Sequence, residues 1–302
     1  MTAIGTRPGI LLVDKPRGIT SHDVVSRIRK AAGTRKVGHA GTLDPMATGL
    51  LVIGLNAATR LLTFAVGLDK EYFATITLGV STSTDDAEGE VLATAPTTTI
   101  TEQAIAAGIA KLSGQISQVP SSVSAIKVDG KRAYALVRAG ERVELASRTV
   151  TISAFELIDR RGDELAGTIE LDCRVECSSG TYVRALARDL GDDLGTGAHL
   201  SALRRTRIGP FTIDAAVGIE ELDVAGAMLA PAAAASALFP TIALTEQQAI
   251  DLGHGKRLVV DAPDGSPVAA LAPDGRLIGL VTINSARLSP IVNFPPPDEA
   301  QA

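Results

Sequence analysis

Residues 167 to 194 read GTIELDCRVECSSGTYVRALARDLGDDL, and the stretch changes period partway along. Up to Cys177, apolar and polar residues alternate, which is the two-residue period of a strand with one buried face. Beyond Ser178, Ser179 and Gly180, the segment TYVRALARDLGDDL carries a helix signal. Working outward, strand signals lie at LLVIGL (50–55), EYFATITLGV (71–80) and TVTISAFELID (149–159), with another helix signal at TEQAIAAGIAKL (101–112). Nearer the start, residues 10–13 read as a short buried strand leaving through a Lys-Pro-Arg-Gly turn. A helix over HDVVSRIRKAA (22–32) follows, which Thr20 or Ser21 can cap. Runs of strands with few helices between them, in place of strict strand-helix alternation, imply an α+β fold with a mixed or largely antiparallel sheet.

At 302 residues the chain is long for one domain and short for three, so a large domain and a small one are expected. The low-complexity segment APAAAASALFP (230–240) stands where a linker belongs. Beyond it, PVAALAPDGRLIGLVTI (267–283) has the cadence of a hairpin turning at Asp274-Gly275. The division drawn is a large domain over 1–235 and a small β-rich one over 241–296. STSTDDAEGE (81–90) reads as a polar, acidic loop. A basic insertion over about 120–150 contains a hairpin-turn signal at Asp129-Gly130.

Hydrophobic content of 45% and charged content of 21% fit a globular protein. No apolar stretch reaches the roughly 18 residues of a membrane helix, and the start does not read as a signal peptide; the expectation is a cytoplasmic protein. Cys173 and Cys177 would stand about 13 Å apart on one strand, too far for a disulfide, so both are expected as reduced, buried thiols. The four histidines show no metal-ligand spacing. The net charge of −5 speaks against indiscriminate nucleic-acid binding, yet residues 1–60 hold nine Lys and Arg against three acids. A basic region on an acidic protein suits one specific polyanion whose shape is also read.

The remaining question is chemistry. The glycine-rich stretch GHAGTLDPMATG (38–49) holds one carboxylate, Asp44, and one imidazole, His39, and Pro45 restricts the backbone of the residue before it. Five stretches share one order along the chain: LLVDKPRGITSHDVV (11–25), KVGHAGTLDPMATGLLVIGLNAATR (36–60), DKEYFATITLG (69–79), QVPSSVSAIKVDGKRAYALVRAG (118–140) and CSSGTYVRALARDLGDDLGTGAHLSALRRTRIGPF (177–211). Together they resemble the TruB family of RNA pseudouridine synthases over residues 9 to about 215.

That resemblance implies isomerisation of the uridine at position 55, in the T-arm of tRNA, to pseudouridine. It also implies a pseudouridine-synthase type catalytic domain with a small PUA-like RNA-binding domain at the C-terminus. Uracil leaves the ribose through N1, turns in the pocket and is rejoined through C5. No atoms are gained and no electrons are transferred, so neither a metal nor a redox cofactor is demanded. A carboxylate is needed, either to attack the sugar carbon or to assist loss of a ribose proton, and Asp44 matches the family's catalytic aspartate. Arg184 matches the arginine that pairs with that acid, which a guanidinium can hold through two parallel hydrogen bonds. Because the target base is held in a folded loop, it must be flipped out. Tyr72 matches the tyrosine that stacks on the flipped uracil, Tyr182 and Leu203 match residues lining its pocket, and His39 matches the histidine that packs into the RNA. By its residues alone Leu203 reads as a core position on a helix.

With three tyrosines and no tryptophan, the chain cannot offer many rings to single-stranded RNA. Recognition is therefore expected to rest on the shape of a prefolded arm and on phosphate contacts. The candidates are Lys15, Arg17, Arg35 and Lys36; Lys127, Lys131, Arg132 and Arg138 in the insertion; Arg204, Arg205 and Arg207; and Lys256 and Arg257 in the small domain. The expected partner is tRNA, bound by a monomer with no obligatory protein subunit. A tRNA-folding chaperone with little or no catalysis shares the basic surface but has no use for Asp44. A guide-dependent enzyme acting on ribosomal RNA is disfavoured by the absence of lysine-rich tails.

Overall fold

The computed structural model describes residues 5, 7–121, 127–128, 131–132, 145–163 and 167–294. The chain divides into two compact units, one comprising residues 1–45, 49–66 and 209–302, the other 46–48 and 67–208. This cut follows a different line from the sequence division between 235 and 241.

The first unit begins with strand β1 (Gly9–Lys15), helix α1 (Ser21–Ala32), β2 (Val37–Ala40), β3 (Thr48–Leu55) and a short α2 (Leu62–Val66). Strand β1 is hydrogen-bonded antiparallel to β3 and parallel to residues 217–218, and β2 runs antiparallel along β3. Val24, Val25 and Ile28 of α1 pack with Leu11, Val13, Leu51 and Ile53 into one core cluster. The helix starts at Thr20, whose hydroxyl accepts from Asp23 N–H while the Asp23 carboxylate accepts from Thr20 N–H. It stops at Gly33, whose φ of 66° only glycine adopts freely.

The second unit consists of β4 (Lys70–Leu78), α3 (Glu102–Lys111), β5 (Gly114–Gln118), β6 (Arg148–Asp163), β7 (Thr168–Cys177), α4 (Val183–Asp193) and β8 (Ala198–Ile208). Its strands lie in the order β8-β4-β7-β6-β5, every neighbour antiparallel. The alternation read in the sequence holds: Lys70, Tyr72, Ala74, Ile76 and Leu78 of β4 and Ile169, Leu171, Cys173, Val175 and Cys177 of β7 are all buried. Helix α4 packs on β4 and β8 and buries Val183, Leu186 and Leu190. On the sheet's other face, Arg174 ties together Glu71, Glu156 and Glu176. Both cysteines are free thiols, pushed up by burial to about 12 for Cys173 and about 11 for Cys177.

The first unit closes with α5 (Pro231–Leu238), β9 (Thr241–Ala243), α6 (Glu246–Gly253), β10 (Gly265–Leu271), β11 (Leu277–Asn284) and β12 (Arg287–Asn293). These strands and residues 258–259 make a separate five-stranded sheet. Its hairpin turns at Asp274-Gly275 as expected, with Gly275 at φ 80°.

Two expectations are corrected. The segment 230–240 is no open linker, because Pro231 opens helix α5, Ala234 and Ala235 are buried, and Phe239 meets Phe64 edge-on at 5.4 Å. Leu203 lies on a strand, since pairing of β8 along the whole of β4 overrides the helix-forming composition of SALRR. Among the described residues no helix is long and apolar enough to cross a membrane.

Candidate active site

The half-buried Asp44 sits in an irregular corner of the first unit between β2 and β3. The main chain on either side of it is tied down. Ser21, fully inside at the start of α1, uses one hydroxyl twice, accepting from Leu43 N–H at 2.8 Å and donating to Leu43 O at 3.0 Å. On the other side, Pro45 O accepts from Gly18 N–H at 2.8 Å and from the Lys15 ammonium at 3.4 Å. The backbone that bears the carboxylate is thus gripped one residue before and one residue after it.

Lys15 is corrected as a phosphate contact. Its side chain is fully buried, and its ammonium donates to the carbonyls of Pro16 (2.9 Å), Ile19 (2.8 Å) and Pro45; its charge is spent on seating this corner. Arg17, Arg35 and Lys36 stand exposed. His39 lies half-buried on β2, its main chain in register with Ile53 of β3.

In the second unit, Tyr72 occupies the buried face of β4, flanked in register by Val175 of β7 and Arg205 of β8. Leu203, also buried, is in register with Ala74. Two residues before Tyr72, Lys70 donates to Leu68 O at 2.5 Å. Burial, reinforced by the Arg205 cation, pushes its ammonium down to about 8. Arg205 is the second correction, because an arginine that is 1% exposed as a whole residue is part of this interior and not a surface contact for phosphate. Arg204 is half-buried with Nη1 3.4 Å from the Thr48 hydroxyl, and Arg207 pairs with Asp69 at 2.6 Å.

Helix α4 carries the remaining candidates across this same face. Tyr182 is its N-cap and Arg184 lies in its first turn, 5% exposed. Nη1 of Arg184 donates to Thr84 O at 3.0 Å and to Asp86 Oδ2 at 3.2 Å. Asp86, equally buried, accepts on its other oxygen from the Thr84 hydroxyl (2.5 Å) and Glu88 N–H (3.0 Å). Main-chain bonds from Leu200 N–H to Asp85 O and from Ala87 N–H to Leu200 O dock this loop on β8. A buried, hydrogen-bonded ion pair of this kind fixes orientation more than it adds stability.

Sequence reasoning passes over Asp86 and Ser21. Asp86 is hidden in a stretch legible only as an acidic loop, and Ser21 reads as a possible helix cap, a role that Thr20 takes. Arg138 and the side chains of Lys127, Lys131 and Arg132 lie outside the described residues. The main chains of 127–128 and 131–132 pair antiparallel, with Val128 opposite Lys131, on either side of Asp129-Gly130. Among the described residues no cluster of three or more His, Cys, Asp or Glu could hold a metal ion.

Comparison with known proteins bears on these motifs. Residues 29–183 match the family model described as TruB family pseudouridylate synthase (N terminal domain). Residues 184–247 match the tRNA pseudouridylate synthase B C-terminal domain, and 239–295 the tRNA Pseudouridine synthase II, C terminal model. The tRNA pseudouridine synthase B of Leifsonia xyli subsp. xyli (strain CTCB07) is 58% identical over 293 residues, covering 95% of this chain and 96% of its own. That of Arthrobacter sp. (strain FB24) is 54% identical over 299 residues, covering 96% and 98%. Among solved structures, a chain from the crystal structure of a Cbf5-Nop10-Gar1 complex aligns with a TM-score of 0.71 at 26% identity, covering 97% of this chain and 87% of that one.

Proposed function

The chain belongs to the TruB family of pseudouridylate synthases and isomerises uridine in tRNA to pseudouridine; from that premise we propose that its target is the uridine at position 55 of the T-arm, reached by flipping the base out of its loop. Asp44 supplies the carboxylate. It either attacks the sugar carbon as the N1 bond breaks or assists loss of a ribose proton, and the uracil then rotates and rejoins through C5 with no net change of atoms. Tyr72 stacks on the displaced base, Leu203 and Tyr182 line its pocket, His39 packs into the RNA, and Arg184 is the arginine that partners the acid.

The observation that carries this reading is the pair of anchors around Asp44. A loop aspartate with a purely structural role needs no fully buried serine and lysine spent on its neighbours' peptide groups, whereas a carboxylate that must meet one carbon atom does. Lys127, Lys131, Arg132 and Arg204 meet the phosphates of the arm, and the small C-terminal domain is a PUA-like contributor to RNA binding. A single copy acts in the cytoplasm, without an obligatory protein partner.

In vitro transcribed tRNA treated with the protein should gain a carbodiimide-dependent primer-extension stop at that uridine and at no other. Asp44→Asn should lower the single-turnover rate by more than about 10³-fold while tRNA affinity stays the same. A stop of undiminished strength with Asp44→Asn would remove the carboxylate from the mechanism. Tight binding with no stop from the unaltered chain would leave the chaperone reading standing.

A further inference from the structure

Strands β5 and β6 end as a register pair, Gln118 opposite Arg148, and the residues between them form the basic insertion. Both side chains turn to one residue. The Gln118 side chain, fully buried, donates from Nε2 to Tyr182 O at 3.1 Å and accepts on Oε1 from Tyr182 N–H at 2.9 Å. Its amide therefore serves the Tyr182 peptide groups as a neighbouring strand would. Arg148 lies over the Tyr182 ring, its guanidinium carbon 5.4 Å from the ring centre, within the range of a cation–π contact.

The arrangement meets a specific need. Tyr182 is the N-cap of α4, and its side chain makes no capping hydrogen bond. A tyrosine there leaves the start of the helix without the self-contained restraint that Ser, Thr, Asp or Asn would supply. Gln118 provides the restraint from another strand. The preceding turn is held by the same sheet: Ser178 N–H donates to Thr151 O at 2.8 Å and the Ser178 hydroxyl accepts from Thr151 N–H at 2.9 Å. Main chain and ring of Tyr182 are thus fixed separately, two residues ahead of the buried Arg184.

We propose that Gln118 and Arg148 are positioning residues for the isomerisation, setting the Tyr182 wall of the uracil pocket from the two strand ends at which the insertion leaves and rejoins the sheet. Gln118 fixes where the residue stands and Arg148 fixes how its ring is turned. Neither touches substrate. The proposal rests on the assignment of Tyr182 to the pocket, and the experiment keeps the two apart.

The chain has three tyrosines, Tyr72, Tyr134 and Tyr182, so 3-fluorotyrosine labelling gives three fluorine resonances, and Tyr182→Phe identifies its own. Gln118→Met, Gln118→Glu and Arg148→Met should each move or broaden that resonance. Each should slow single-turnover pseudouridine formation about tenfold, with tRNA affinity changed less than about twofold. In a Tyr182→Ala background, Arg148→Met should slow the reaction no further, because the ring it orients is gone.

A Tyr182 resonance unmoved in Arg148→Met and in both Gln118 variants overturns the proposal. So does an Arg148→Met effect that persists undiminished in the Tyr182→Ala background, or one seen as weakened affinity with a smaller salt slope, which would make Arg148 a phosphate contact. If Tyr182→Ala itself leaves the rate unchanged while the resonance still moves, the pocket assignment has failed, and the positioning role in catalysis falls with it. Arg148, half-buried at the strand end, keeps the test decisive should the Gln118 variants not fold.

Discussion

Ser21 shows how much can depend on one hydroxyl. Its oxygen satisfies both peptide groups of Leu43 inside the fold, so Ser21→Ala strands a buried donor and a buried acceptor next to Asp44. The expected cost is about 1–3 kcal/mol, seen as a lower urea midpoint. Turnover should fall as well while tRNA binding holds, because the loosened backbone is the one bearing the carboxylate. In the sequence Ser21 is legible only as a helix cap. The loop that takes up its hydroxyl lies 22 residues on, and nothing local marks that closure. Lys70 offers a test of a different kind. Its ammonium titrates near 8 in the folded chain against 10.5 for an ordinary lysine, so between those values the unfolded state binds more protons and stability from this group rises with pH. The two cysteines act in the opposite sense above about pH 9, where the unfolded thiols ionise and the buried ones do not. Melting temperatures should therefore show a rise between pH 8 and 9 that Lys70→Met abolishes.

Strands β4, β6 and β7 and helices α1, α3 and α4 were legible because each buries one face and each face has the period of its element. Strand β8 was not. Register shifts between Leu200 and Ala202 and between Arg205 and Arg207 break its alternation, so the residues around Leu203 carry no two-residue pattern. The alanine run of α5 failed for the opposite reason, since low complexity hides which alanines are buried. Asp44, Tyr72 and Arg184 were singled out through motifs, whereas the roles of Asp86, Gln118 and Arg148 depend on residues far along the chain and were not legible from their neighbours. Helix α4 contains one further element-scale dependence. A Cβ at Gly191 would lie 2.3 Å from Ala198 N and from Gly197 C, so the helix can approach the start of β8 only with glycine there. Gly191→Ala, stabilising by about 1 kcal/mol in an isolated helix, should here lower the unfolding midpoint and detach the α4–β8 junction. Hydrogen exchange at Gly197 N–H, which donates to Gly191 O at 3.0 Å, would report that detachment.

Across the whole molecule the charges are segregated along the chain: residues 209–302 hold four Lys and Arg against eleven acids, while the first sixty residues are basic. Since Lys15 and Arg205 are interior, the cations left for phosphate are fewer than the sequence offers. On the proposed reading the insertion then has to bear more of the RNA contact. Changing Lys131 and Arg132 to alanine should weaken tRNA binding and reduce the slope of log affinity against log salt by about one for each phosphate no longer neutralised. An unchanged slope would place the RNA elsewhere. The anchors around Asp44 also bear on how the chain reaches its working form. Every group gripping that corner comes from residues 15–21, at most 30 positions from its partner, whereas Tyr72 meets Arg205 only after the intervening chain has been made. Loops that short close early. During synthesis Asp44 is therefore seated while most of the polypeptide is still to emerge, well before the strand that flanks Tyr72 has been made.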